Sequence, residues 1–135
     1  MRIVFDNNIW ISFLIGRRLS ALRSVFERED LEIYYCDELE QEFLDVAYRP
    51  KIQKYVSTEQ IHRVHLLMTK FCKKGDALAI QQANAVRDPK DIYLLALADT
   101  IHADYLISGD SDLTDLKEHN HTKIVDFNTF LTLFR

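Results

Sequence analysis

Apolar residues are spaced in two ways along this chain. Short apolar runs such as Ile3-Val4-Phe5 and Tyr105-Leu106-Ile107 alternate with longer stretches in which apolar residues return every three or four positions. The first pattern suits buried strands and the second amphipathic helices. It predicts strands at 2–5, 31–35, 105–108 and 123–125. It predicts helices from about Ile9 to Gly16, over 19–29, from Asp37 to near Arg49-Pro50, and from about Thr58 to Cys72 with Gly75 as the stop. Residues 76–87 fit neither pattern. Asp88-Pro89-Lys90-Asp91 carries the marks of a helix start, with a capping acid, a first-turn proline and an acid three places after the cap. That helix should reach His102 or Ala103. A short helix in the acidic turn after residue 108 and a terminal helix over 128–134 complete the series. Only Gly16, Gly75, Gly109, Pro50 and Pro89 punctuate the chain, which argues against a β-sandwich. Strands alternating with helices predict an α/β fold: a three-layer α/β/α sandwich with a central parallel sheet, one domain over 1–135.

With 135 residues and 47% apolar content, the chain can bury roughly two-thirds of its unfolded surface and stand without metal or disulfide staples. No stretch approaches ~20 uncharged apolar residues, so no membrane span is expected. Asp6 interrupts any signal-peptide core, and Cys36 and Cys72 show no paired spacing. A cytoplasmic protein with two reduced, buried thiols is the expectation. The net charge of −4, from 17 basic and 21 acidic residues, looks wrong for a partner of nucleic acid. Four acids sharing one metal site would leave the remainder neutral, so charge neither supports nor excludes a polyanionic partner.

The placement of the acids changes the picture. In parallel sheets, ligands sit outside the carboxyl ends of the strands. Asp6 ends the first strand, and Asp110 and Asp112 follow the 105–108 strand. Asp88 and Asp91 begin a helix that starts at the same edge. In the 37–49 helix, Leu39, Phe43 and Val46 mark the buried stripe, and Glu42 lies roughly 65° from its centre, closer than Glu38, Glu40 or Asp45. Glu38 and Glu40 fall on the flanks, towards water. Asp91 shares a face with Leu94, Leu95 and Ala98. Taken singly, these acids have ordinary explanations as caps, turns or half-exposed helix residues. Their convergence on one ligand-binding edge does not. Two unit charges ~4 Å apart repel by roughly 4 kcal/mol at an effective dielectric near 20. Such a cluster calls for protons or hard cations. Mg²⁺ and Mn²⁺ take oxygen ligands and keep waters for substrate phosphates, which points to phosphodiester cleavage.

Four ordered segments resemble the PIN-domain nucleases. They are Val4-Phe5-Asp6-Asn7-Asn8-Ile9; Glu42-Phe43-Leu44-Asp45-Val46 leading into Arg49-Pro50-Lys51; Arg87-Asp88-Pro89-Lys90-Asp91 followed by Leu94-Leu95-Ala96-Leu97-Ala98; and Ala103 through Leu113 with Ser108-Gly109-Asp110-Ser111-Asp112. The similarity spans residues 2 to about 126 and is strongest to the branch of toxin components of toxin–antitoxin systems. The resemblance implies a Mg²⁺- or Mn²⁺-dependent endoribonuclease, with RNA as substrate and a small antitoxin protein as partner. It places the acidic quartet on Asp6, Glu42, Asp91 and Asp110. Metal ligands would be Asp6, Asp91 and Asp110, with Asp112 sharing or replacing the role of Asp110. Asn8 would support the first acid, and Ser108 stands where the family usually has threonine. Asn7 departs from the usual threonine. Arg87 and Lys90, beside the helix start, are candidates for phosphate contacts. A homodimer is left open.

Other signals weigh less. His62 and His65 sit three apart on a helix with Cys72 beyond, but no second ligand pair accompanies them, so zinc is disfavoured. Arg17-Arg18 should lie at the opposite edge. Tyr34, Tyr35 and Tyr48 read as packing aromatics. Two competing readings remain: a phosphatase or phosphotransfer domain, against which Asn8 breaks the acid-x-acid signature, and a non-enzymatic nucleic-acid-binding module, whose usual mark would be a missing acid.

Overall fold

Ile3, Val4 and Phe5 are all completely buried. Successive strand residues face opposite sides of a sheet, so both faces must be covered at this strand. It is β1 (Arg2–Phe5), followed in sequence by β2 (Glu32–Tyr35), β3 (Lys73–Lys74), β4 (Tyr105–Ile107), β5 (Glu118–His119) and β6 (Thr122–Val125). This computed structural model describes residues 1–16, 19–77 and 89–133, with backbone alone at 19, 20, 89 and 90. The strands form one sheet in the order β3-β2-β1-β4-β6-β5, parallel throughout except for the β5–β6 pair. Val4 pairs with Tyr34 on one side and Leu106 on the other.

Among the described residues eight helices accompany the sheet: α1 (Asn7–Leu14), α2 (Leu19–Phe26), α3 (Asp37–Ala47), α4 (Pro50–Gln53), α5 (Thr58–Phe71), α6 (Pro89–Ile101), α7 (Ser111–Thr114) and α8 (Phe127–Leu133). The layered α/β architecture expected from the sequence is present. On one face Phe5 meets Trp10 and Phe13 edge-on at 5.9 and 5.5 Å, and Phe127 closes the cluster. On the other lies α6, whose Leu94, Leu95, Ala96, Leu97 and Ala98 are all buried. A helix that is apolar on every side belongs in the interior. Ser57 opens α5 with a full capping box, its hydroxyl accepting from Gln60 N and the Gln60 side chain accepting from Ser57 N.

The chain lays down β1, β2 and β3 to one side, then returns through α6 to place β4 against the other side of β1. This reversal makes the carboxyl ends of β1 and β4 a topological switch point, the place where such sheets take ligands. Asp6 N donates to Ile107 O at 2.8 Å, stitching the two strand ends together at that rim.

Several element boundaries differ from the expectation. The helix begun at Asp37 ends at Ala47, and Pro50 opens a helix of its own, because proline lacks the N–H that a first turn leaves unused. β3 and β5 have two residues each, too few to carry a period, and β5 makes the sheet mixed rather than purely parallel. Gly75 does not stop α5, which ends at Phe71 with Cys72 already extended. Gly75 instead permits a close approach: a Cβ there would lie 2.8 Å from Leu97 Cδ1 and 2.9 Å from Ile101 Cγ2. The helix over 19–29 ends at Phe26. The cap expected at Asp88, Arg17-Arg18 and most of 76–87 lie outside the described residues. Among the described residues, no helix is long and apolar enough to cross a membrane.

Candidate active site

Asp6 leaves β1 at the rim and caps α1. Its Oδ1 accepts from Asn7 N at 2.5 Å and its Oδ2 from Ser108 Oγ at 2.6 Å. The residue is only 6% exposed. Burial pushes its carboxyl up from an ordinary 3.8 to about 6; the hydrogen bonds from Ser108 and Asn7 pull the other way, and the charges of Glu42 and Asp110 add to the rise. Asp6, Glu42 and Asp110, delivered by three separate segments, thus share one electrostatic field.

Ser108, at the end of β4, is completely buried and joins two of these acids. Its hydroxyl donates to Asp6 and accepts from Asp110 N at 3.0 Å. Asp110 is half-buried and caps α7, its Oδ1 accepting from Asp112 N at 3.0 Å. Asp112 is exposed, whereas Asp110 is half-buried and tied through its own N–H to Ser108. Asn8 Oδ1 accepts from Gly109 N at 3.3 Å. Its support therefore goes to the loop that carries Asp110.

Glu42, half-buried on α3, accepts a hydrogen bond on Oε2 from the Tyr93 hydroxyl. Tyr93 stands on α6 two residues beyond Asp91, which is buried in the first turn of that helix. Burial, the bond to Glu42 and the charges of Glu42 and Asp6 hold the Tyr93 hydroxyl far above the usual tyrosine range, so it remains a donor. The Glu42–Tyr93 bond ties α3 to α6 across the rim. An open groove of about 530 Å³ runs from this bond along α3, lined among others by Glu38, Glu42, Asp45, Arg49 and Tyr93. A second cleft of about 360 Å³ has Asn8, Ser12, Gly109 and Asn128 in its wall.

Neither Tyr93 nor Arg49 is among the site residues that the sequence pattern points to. A half-buried hydroxyl on an apolar helix has no period to betray it, and Arg49 stands in the sequence only as part of the Arg49-Pro50-Lys51 segment. Arg87 and the side chain of Lys90 lie outside the described residues. Glu40 was expected in water but pairs with His65 Nε2 at 2.6 Å, while His62 is exposed. Tyr35 is buried, but Tyr48 is 44% exposed at the end of α3 rather than packed. Cys36 and Cys72 are both buried and unbridged, and burial pushes the Cys36 thiol up to about 12.

All the rim donors are oxygens, the set that Mg²⁺ and Mn²⁺ prefer. Among the described residues, no three His, Cys, Asp or Glu side chains stand close enough to enclose an ion. An ion of this class does not require a cage, since it keeps several waters and is held through one or two carboxylates. A cation at the rim would also remove the cause that Glu42 and Asp110 contribute to the raised Asp6 carboxyl. The residues fit such an ion.

Residues 2–112 match the PIN domain family, and the chain belongs to that family, a family of nucleases. None of the curated proteins is a significant match to the whole sequence. Among solved structures, the fold is similar to a chain of VapBC2 from Rickettsia felis, crystallised bound to a DNA fragment from their promoter. The TM-score is 0.60 at 12% identity, over 92% of this chain and 97% of that one.

Proposed function

We propose that this chain is a cytoplasmic, divalent-metal-dependent endoribonuclease that acts as the toxin of a toxin–antitoxin pair. The observation that carries the reading is the meeting of Asp6 and Asp110 on the buried Ser108 hydroxyl at the switch point between β1 and β4, with Asp91 buried in the first turn of α6. Membership of the PIN domain family supports the nuclease chemistry. The fold shared with a chain of VapBC2 supports the toxin role and a small antitoxin partner.

Asp6 and Asp110 would hold Mg²⁺ or Mn²⁺ directly, with Asp91 and Glu42 completing its shell or orienting its waters. When bound, the ion supplies positive charge for activating water and for offsetting charge on the attacked phosphodiester. Ser108 keeps Asp6 oriented and favours its ionised form. Arg49, in the groove beside Glu42, offers a cation to an RNA phosphate, a role also proposed for Arg87 and Lys90. The test is incubation of the purified chain with single-stranded and structured RNA in Mn²⁺ or in EDTA. Cleavage is expected in Mn²⁺ alone and is expected to vanish in Asp6→Asn. Cleavage that persists in EDTA, or in Asp6→Asn, would refute the reading.

A further inference from the structure

The structure assigns Tyr93 as a positioning residue: its hydroxyl holds Glu42 Oε2 and leaves Oε1 free for a divalent cation or its water, an inference that rests on the nuclease reading above. Glu42 needs such a hold. Its side chain is longer and freer than that of an aspartate, it is half-buried, and its charge is repelled by that of Asp6. The same groove offers it another place to go. Arg49 lines that groove, is exposed, and forms no ion pair among the described residues. An unrestrained Glu42 has the charge of Asp6 to move away from and a cation in its own groove to move towards. The Tyr93 hydroxyl is the opposing pull.

The hold is built on a rigid base. Tyr93 has few torsions, and α6 around it is locked by buried Leu94, Leu95 and Leu97. A phenol hydroxyl has one proton to donate, and here it goes to one oxygen of Glu42. Because Asp91 and Tyr93 share the first turns of α6, that helix sets the position of one acid directly and of another through Tyr93. Removing such an indirect partner commonly costs 10–100-fold in metal affinity or activity.

The ordinary alternative is that a half-buried tyrosine hydroxyl needs an acceptor and finds Glu42. A double-mutant cycle in Tyr93→Phe and Glu42→Gln, read by Mn²⁺ titration and then by RNA cleavage, separates the two. Phenylalanine fills the same space, so the melting temperature in EDTA should move by only a few degrees. Tyr93→Phe should weaken Mn²⁺ binding about tenfold or more, and cleavage lost at low Mn²⁺ should return at high Mn²⁺. In the Glu42→Gln background the same change should do nothing further. Wild-type affinity in Tyr93→Phe, or an equal loss in both backgrounds, would overturn the role of Tyr93 and leave the nuclease reading standing. A wild-type chain that takes up no Mn²⁺ and cleaves no RNA would overturn both.

Discussion

Asp6→Asn makes the apo protein more stable at high pH if the site is built as described. The carboxyl of Asp6 is raised from an ordinary 3.8 to about 6, chiefly by burial. The folded chain therefore binds this proton more tightly than the unfolded chain, and stability falls as pH rises between about 4 and 6. At about 1.4 kcal/mol per pH unit between the two values, ionised Asp6 costs the metal-free protein about 3 kcal/mol at pH 8. Asparagine removes the charge, keeps an acceptor for Asn7 N, and presents an amide to Ser108 Oγ, with a mismatch costing about 1 kcal/mol. Asp6→Asn should thus gain about 2 kcal/mol at pH 8 and lose about 1 kcal/mol at pH 4, where Asp6 is already protonated. For a chain of 135 residues this corresponds to a swing of about 10 °C in the melting-temperature difference. Urea unfolding in EDTA from pH 4 to 8, followed by the single tryptophan Trp10, measures it. A difference that stays flat with pH, or an Asp6→Asn chain that is unfolded at pH 8, would assign Asp6 to capping alone.

Other outcomes follow from the same contacts. Ser108→Ala removes a donor to Asp6 and an acceptor for Asp110 N, so it should cost about 1–3 kcal/mol in urea unfolding, more at pH 8 than at pH 5, because the lost bond favours ionised Asp6. Ser108→Thr keeps the hydroxyl and should recover most of that loss. Phe13→Ala, at the centre of the aromatic cluster, should cost about 3–5 kcal/mol with no pH dependence. Gly75→Ala forces a methyl against Leu97 and Ile101 and should lower stability by about 1–3 kcal/mol in the same assay.

Much of this site could be read from the chain because the positions of acids at strand ends are a matter of topology. Once Val4-Phe5 and Leu106-Ile107 are strands of one parallel sheet, Asp6 and Asp110 must leave it at the same edge. Helical period did the same for Asp91, which is buried as its apolar neighbours Leu94, Leu95 and Ala98 imply. Period serves less well where the outcome depends on a single contact across elements. Glu42 was placed near the buried stripe, but nothing in the spacing of α6 announces that the Tyr93 hydroxyl reaches it. Glu40, on the flank of the same helix, is drawn out of water by His65 of α5, twenty-five residues away. Two-residue strands such as β3 and β5 exist because neighbours offer hydrogen bonds, not because their own residues demand it.

A metal-dependent nuclease of this design requires that Asp6, Glu42, Asp91 and Asp110 together bind a divalent cation. Calorimetric titration of the purified, EDTA-treated chain with Mn²⁺ at pH 8 tests this directly, with Asp6→Asn as the companion sample. We expect saturable binding by the wild-type chain, a stability gain of about 2.7 kcal/mol at a hundredfold excess over the dissociation constant, and neither effect in Asp6→Asn. Absence of Mn²⁺ binding in the wild-type chain, or equal binding by Asp6→Asn, would contradict it.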